Sequence, residues 1–580
     1  MSQSKSLFMR LIIFLFLIAF SLISLAQGKH YPKDYFKAPM DIPLFMSGNY
    51  GEIRSNHFHG GVDLKTQGRE GIAINAAADG FVSRIKISPF GYGKAIYVTH
   101  PNGYTTVYGH IQKFSETIEA YIKKAQYQKE SFSIELFPMS SELKVKQGEL
   151  IAYSGNTGGS GGPHLHFEIR DSRTETPLNV LLFGLDIKDE IKPIIKSIMA
   201  YPMDDTSTVN GKFTKQRFNV TGSNGNYALV GNSIKGYGKI GFAIETIDQA
   251  NGVSNRIGNF QINLKADDEL IYAHEIDEIP FNKSRFINSY IDYEEKVKTG
   301  RRYELSYVLP NNQLPIYKTP KTSGPITLAK DGKKKMSYEI IDVYGNTSRL
   351  AFDLISSNQE EARQTIVKSK DNRLFKYNRR NVILEDDILV NIPPFFLYED
   401  LEFEFSRGDA VNGCISPLYN LHNKYTPLQS YMNVSIKLEG LSAYDKEKSL
   451  IVSTTNGGRS FSAEGGKWDN DKISVRSRTF GSYCVKMDTT PPAITPINIF
   501  NGANLNGKWS IMIKATDNLS GINFYRGEVD GKWILFEYDY KKNLFFHYFD
   551  GTITPGKHNL TFQVIDGNSN ESKLNVTFNK

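Results

Sequence analysis

The chain has 580 residues, more than one hydrophobic core normally organises, so roughly three to five domains are expected. A hydrophobic fraction of 40% with 12% aromatics excludes a disordered chain, and the many Tyr and Phe lean towards β structure. The 69 basic and 62 acidic residues are spread along the sequence, which excludes the concentrated basic footprint of a nucleic-acid binder, although the mild net charge of +7 suits contact with an anionic polymer.

At the N-terminus, Lys5 and Arg10 precede the apolar run LIIFLFLIAFSLISLA, and Ser24-Leu25-Ala26 puts small residues where a signal peptidase reads. Residues 1–26 are expected to be a signal peptide, with a mature chain starting at Gln27. The run of 16 apolar residues is shorter than the ~20 a spanning helix needs, which disfavours an uncleaved anchor. No cysteine follows to carry a lipid. The chain is read as exported, to a periplasm, a cell envelope or the exterior.

Residues 27–193 read as one compact β domain. Short apolar runs alternate with turns: GIAINAAADGFVSRIKIS, GYGKAIYVTHPNGYTTVYGHI, GELIAYSGNTGG and HLHFEIR. His100-Pro101-Asn102-Gly103 marks a hairpin between two of the strands. Within the domain, FSETIEAYIKKAQY has helical spacing, and residues 114–142 are read as an insertion, a lid or a decoration.

From residue 194 onward the pattern is strands and turns. Weak internal repeats pair GFAIETIDQANGVSNRIGNFQI with SIMIKATDNLSGINFYRGEV, and MSYEIIDVYGNTSRLAFDL with LTFQVIDGNSNESKLNVTF. These predict immunoglobulin-like β-sandwich modules at 194–355 and 491–580, the latter introduced by the stiff linker DTTPP. Between them lies a further β-rich module, 356–490, containing Cys414 and Cys484, a candidate disulfide in an exported protein. The fold class expected is therefore mainly β: a front β-sheet domain followed by about three β-sandwich modules. Asp248, Asp342, Asp517 and Asp566 recur beside Gly and Asn in the repeats; calcium ligation is one reading, and Asx-turns are the cheaper one.

The chemistry concentrates in the front domain. In a strand, residues two apart share a face, so His164 and His166 of HLHFEIR project together. His59 and Asp63, four apart in HFHGGVDLK, do the same in an extended segment, and His110 ends TTVYGH. A catalytic zinc takes three ligands from His and Asp/Glu, lowers the pKa of a water towards ~7 and polarises a carbonyl. Two histidines and an aspartate satisfy it, and two histidines remain for proton transfer and oxyanion stabilisation. Spacing alone leaves open which of His164 and His166 binds metal.

In that order, His59-x-Gly61-x-Asp63, AAADG at 76–80, YGHI and GELIAYSGNTGGSGGPHLHFEIR, these residues resemble the lysostaphin-like, LytM-type zinc peptidases that cut peptides of bacterial cell walls. The likeness covers about residues 49–177. It implies a peptidase fold with a groove across a sheet, one Zn2+ per chain held by His59, Asp63 and His166, and His110 and His164 as the catalytic pair. Gly158, Gly159, Gly161 and Gly162 are read as glycines that adopt positive φ or let backbone approach a ligand, so that Gly158, Gly161 and Gly162 form a groove wall. His57 shares a face with His59 and is a candidate supporting or substrate residue, a surface histidine being the plainer reading.

The resemblance implies a zinc metalloendopeptidase acting on peptidoglycan cross-links or stem peptides, with the rear modules binding wall, glycan or protein. A non-catalytic envelope regulator of a partner hydrolase is the alternative, set apart by loss of one or more of the five residues, all of which stand here. A secreted protease of non-wall proteins is a further alternative compatible with the same site.

Overall fold

The computed structural model describes residues 31–357, 373–411 and 413–580. The signal peptide expected at residues 1–26 lies outside them. Among the described residues, no helix is long and apolar enough to cross a membrane.

The front domain starts with Met46–Gly48 (β1), Val62–Lys65 (β2), Ala73–Asn75 (β3) and Gly80–Ile87 (β4). Lys94–Thr99 (β5), Tyr104–Gly109 (β6), Lys113–Phe114 (β7) and the helix Glu116–Lys129 (α1) follow. Ile134–Leu136 (β8), Lys144–Val145 (β9), Leu150–Tyr153 (β10), His164–Asp171 (β11) and Pro177–Leu178 (β12) complete it. The main sheet runs β1-β2-β11-β6-β5-β4-β8, and a small sheet runs β3-β10-β7. Residues 100–103 make the turn between β5 and β6. Alternation puts Leu165, Phe167 and Ile169 of β11 into the core, fully buried beside Val62 and Leu64 of β2. The opposite face of β11 is thereby left for His164, His166, Glu168 and Arg170.

The insertion carries the expected helix. Its buried residues Ile118 and Ile122 join the domain's own core. It does not border the groove and so is no lid: Tyr127 instead meets Trp533 edge-on at 5.2 Å between centroids and donates to Asp550 at 2.6 Å, both in the last module.

The rear is built of β modules. Between Ile194 and Ser356 one continuous 11-stranded sheet surrounds a core that includes Phe242 and Phe352, with ring centroids 5.5 Å apart. The long strand Asn226–Tyr237 carries the ladder across, pairing in parallel with Thr347–Ser356 through an irregularity between Ala228 and Ser233. The module holding Cys414 and Cys484 packs two five-stranded sheets on one core, and the two cysteines are bonded, with Cα atoms 6.1 Å apart. The last module packs a four-stranded and a five-stranded sheet around Ile511, Phe536 and Phe562.

These modules fold back on the front domain. Tyr50, Ile53 and Phe58 share a core with Ile276, Phe286, Ile287 and Tyr290 of the first rear module and with Tyr398 beyond it. From the other side, Leu535 of the last module enters the front domain's core, and the buried Lys94 ammonium pairs with Glu537 at 2.8 Å. Two rear modules thus bracket the face that carries the histidines.

Candidate metal centre and active site

Strand register assembles the site. His166 on β11 lies directly opposite Asp63 on β2, and on its other side opposite Gly109, the residue before His110. Gly61 permits that approach, because a Cβ there would sit 2.3 Å from the Phe167 carbonyl oxygen. His59 is clamped by the loop before it: Gly51 N–H donates to the His59 carbonyl, and His59 N–H donates to Glu52, both at 2.9 Å.

Three side-chain atoms converge. His59 Nε2, Asp63 Oδ1 and His166 Nδ1 stand 3.0 Å from one another. All three residues are buried, at 7%, 7% and 3% exposure. Each is oriented from behind. His59 Nδ1–H donates to the Asn49 carbonyl at 2.8 Å, leaving the Nε2 lone pair facing the centre. His166 Nε2–H donates to Glu168 Oε1 at 2.7 Å, which leaves Nδ1 facing inward. Arg54 donates to Asp63 Oδ2 at 2.8 Å, so Oδ1 is the free oxygen. This set of two imidazoles and a carboxylate, each with an outer hydrogen-bond partner, fits the donor chemistry of zinc.

Electrostatics agree with that assembly. Burial pushes the Asp63 carboxyl up, but the surrounding His59, His164 and His166 overcome it and hold the group well below the usual carboxylate range. Glu168 is fully buried, yet Arg170, donating at 2.6 Å, and His166 bring it down to about 2 against that burial. The Tyr92 hydroxyl also donates to Glu168, and its ring stacks on His166 with centroids 4.9 Å apart.

The remaining two histidines stand at the edge of the centre. His110 follows β6 with φ of +61°, in the left-handed region that a non-glycine residue adopts at a cost. Its Nδ1–H donates to the Thr157 carbonyl at 2.8 Å, freeing Nε2. Burial, with His166 and His164 alongside, pushes His110 down to about 3, so it is neutral at ordinary pH. The ring of His164 lies 4.7 Å from that of His110; its Nδ1 bonds the Gly162 carbonyl at 2.8 Å and its Nε2 is 3.3 Å from Asp63 Oδ1.

These residues line a groove of about 880 Å³. Gly161 and the exposed His57 border it, as do Gly159 and Ser160. Gly158 and Gly162 do not. Of the glycines at 158, 159, 161 and 162, Gly158 alone has positive φ, +68°, and a Cβ there would meet Gly93 N at 2.3 Å, so it serves the packing of two loops and not the wall itself. One residue of the first rear module also borders the groove: Phe281, which lies under the Arg170 guanidinium at 4.6 Å. Lys541 donates to the carbonyls of Asn156 and Ser160, at 2.5 and 3.0 Å, and thereby braces the glycine-rich loop.

Asn49, Arg54, Tyr92, Thr157, Glu168 and Arg170 were not singled out by the sequence reading. A signal for two of them existed: Glu168 and Arg170 continue the every-second-residue series that begins with His164 and His166.

The sequence matches the description Peptidase family M23 over residues 57–128 and 131–180. Residues 57–180 form an M23 peptidase domain. A second match, to a Zu5-like domain, covers residues 372–488, the module with the disulfide. An uncharacterized metalloprotease of Haemophilus influenzae is 35% identical over 165 residues, 27% of this chain and 30% of that protein. Peptidoglycan DD-endopeptidase ShyC of Vibrio cholerae is 29% identical over 151 residues, 24% of this chain and 28% of that protein. The chain thus spans less than a third of the length of these curated relatives. The catalytic domain of lysostaphin from Staphylococcus simulans aligns at 24% identity over 23% of this chain and 88% of that one, with a TM-score of 0.18. The five histidine and aspartate residues all fall inside the M23 match.

Proposed function

We propose that the M23 domain is a zinc metalloendopeptidase that hydrolyses a peptide bond in the cross-links or stem peptides of peptidoglycan, with His59, Asp63 and His166 as the metal ligands. The observation that carries this reading is the convergence of His59 Nε2, Asp63 Oδ1 and His166 Nδ1 at the floor of an open groove, with His110 and His164 beside them. The Vibrio relative's name supplies the substrate class. Export to a periplasm, envelope or exterior follows from the same reading and from the N-terminal leader.

Zinc, when held there, supplies Lewis acidity to a water and to the scissile carbonyl. The chain's own residues do the rest. His110, kept neutral by burial and fixed through Nδ1, accepts the proton of the attacking water at Nε2. His164, fixed through Nδ1 by the Gly162 carbonyl, turns its Nε2 edge to the centre, where it stabilises the oxyanion that develops as the carbon–oxygen bond forms. The carbon–nitrogen bond then breaks, and the proton returns from His110 to the leaving amine. Asn49, Arg54 and Glu168 keep the three ligands in one orientation through the cycle.

The test is paired. His59→Ala is expected to lose both bound zinc and peptide release from purified peptidoglycan; a variant that keeps full turnover without zinc would reject the mechanism.

A further inference from the structure

The rear of the molecule holds two carboxylate clusters that the peptidase reading leaves unused. A carboxylate oxygen of each of Asp189, Asp248 and Asp342 lies within 4.8 Å of the others, and the same holds for Asp488, Asp517 and Asp566. Each cluster sits at a junction. Asp189 is where the chain leaves the front domain for the first rear module, and Asp488 is where it leaves the Zu5-like module for the last one.

The two clusters are built alike. In the first, Asp342 Oδ1 accepts from the N–H groups of Tyr344 and Asn346, while Asn346 Nδ2 donates to Asp342 Oδ2 at 2.7 Å and to the Asp189 carbonyl at 3.0 Å. In the second, Asp566 Oδ1 accepts from Asn568 and Asn570, and Asn570 Nδ2 donates to Asp566 Oδ2 at 2.7 Å and to the Asp488 carbonyl at 3.0 Å. In both, a proline follows the first aspartate by four residues, Pro193 and Pro492. Asx-turns are therefore present, as the sequence suggested, but they use only some of the oxygens.

Asp189 Oδ1 accepts from Ile191, and Asp488 accepts from Thr490 and Ser520. Asp248 is 1% exposed, and its Oδ1 accepts from the N–H of its neighbour Gln249. The charges acting on it are those of Asp189 and Asp342, both of its own sign. In the second cluster, Asp517 Oδ2 is occupied by the N–H groups of Leu519 and Gly521, while Oδ1 is buried with no partner at all. The ammonium of Lys448 near that cluster is spent on the carbonyls of Asn568 and Ser569. A buried carboxylate among carboxylates is costly unless a cation or a proton neutralises it. Burial, with Asp189 and Asp342 alongside, pushes Asp248 up to about 8.

We infer that each cluster is a binding site for one calcium ion, which pins the junction between two domains. All-oxygen, mainly carboxylate donors select hard cations, and the flexible geometry of turn carboxylates suits calcium better than magnesium. Nitrogen donors, which the M23 centre supplies, are absent from both clusters.

Calcium titration of the full mature chain, with its M23 centre loaded with zinc, tests this by calorimetry and thermal melting. Two calcium ions are expected to bind per chain, with dissociation constants on the order of 10⁻⁴–10⁻³ M, and the melting temperature is expected to rise with calcium. Asp248→Asn and Asp517→Asn, each isosteric, are each expected to reduce the stoichiometry from two to one, while His59→Ala leaves it at two. The inference is overturned if the folded wild-type chain shows neither binding nor a thermal shift, if both Asn variants still bind two ions, or if magnesium produces the same response at the same concentration. Should Asp248→Asn fail to fold, the wild-type stoichiometry and Asp517→Asn decide. None of these readouts depends on peptidase activity.

Discussion

The M23 centre and the junction clusters both gather buried acidic or basic side chains, yet they solve the problem of burial differently. At the M23 centre every ligand has a partner on its far side: the Asn49 carbonyl behind His59, Arg54 behind Asp63, Glu168 behind His166 and Arg170 behind Glu168. The charges there alternate, and the inward atoms are left as free lone pairs. At the first junction Asp248 meets only carboxylates of its own sign, and at the second one carboxylate oxygen, Asp517 Oδ1, is buried without a partner. The contrast teaches that an acidic cluster and a metal centre differ in their outer partners as much as in their donors. A centre prepared for chemistry is oriented from behind, whereas a centre prepared for stability is completed by the ion itself.

Breaking the proton-handling half of the M23 centre has the largest expected effect short of losing the metal. His110→Ala should keep zinc and lower turnover by about 10²–10⁴-fold, the range of general acid–base catalysis; measuring zinc content and kcat on the same preparation checks it, and full turnover would remove His110 from its role. Breaking the outer support comes next. Glu168→Gln should weaken zinc binding by about 10–100-fold, read by competition with a chromogenic chelator, because His166 loses its carboxylate partner. Stability should fall as well, since the buried Arg170 keeps only the exposed Glu175 as counter-charge.

A third effect is on pH and concerns the interior of the first rear module. His274 is fully buried, hydrogen-bonded to Tyr272 and Tyr290, and burial pushes it down to about 3. The unfolded chain therefore binds a proton at this position between about pH 6.5 and 3 that the folded one does not, so stability is lost as pH falls through that window. Denaturant midpoints measured at several pH values should show a smaller acid slope in His274→Gln than in the wild type. The smallest effect belongs to the brace on the glycine-rich loop. Lys541→Met should raise KM with little change in stability, by about 1 kcal/mol or less, the ordinary net value of an exposed hydrogen bond.

Local pattern made much of this legible beforehand. The alternation in HLHFEIR places His164 and His166 on one face, and the same alternation extends to Glu168 and Arg170, which a longer reading of the strand would have included. The helix at 116–129 followed from its spacing. What periodicity could not reveal is contact at a distance. Lys541 and Asn156 are 385 residues apart, and nothing local in YDYKKN says that this turn braces a groove. Leu535 in the front domain's core and Phe281 at the groove wall are likewise products of module packing. The glycine run misled for a related reason: whether a glycine is needed depends on what its missing Cβ would have met, and that neighbour of Gly158 is Gly93, on another loop.

The most direct measurement is mass spectrometry of purified peptidoglycan incubated with the mature chain, with a zinc chelator and then with zinc restored. Release of peptide-cleaved fragments that stops with chelator and returns with zinc is the predicted result, and the fragments identify the bond. A folded, zinc-loaded chain that leaves peptidoglycan intact would contradict it.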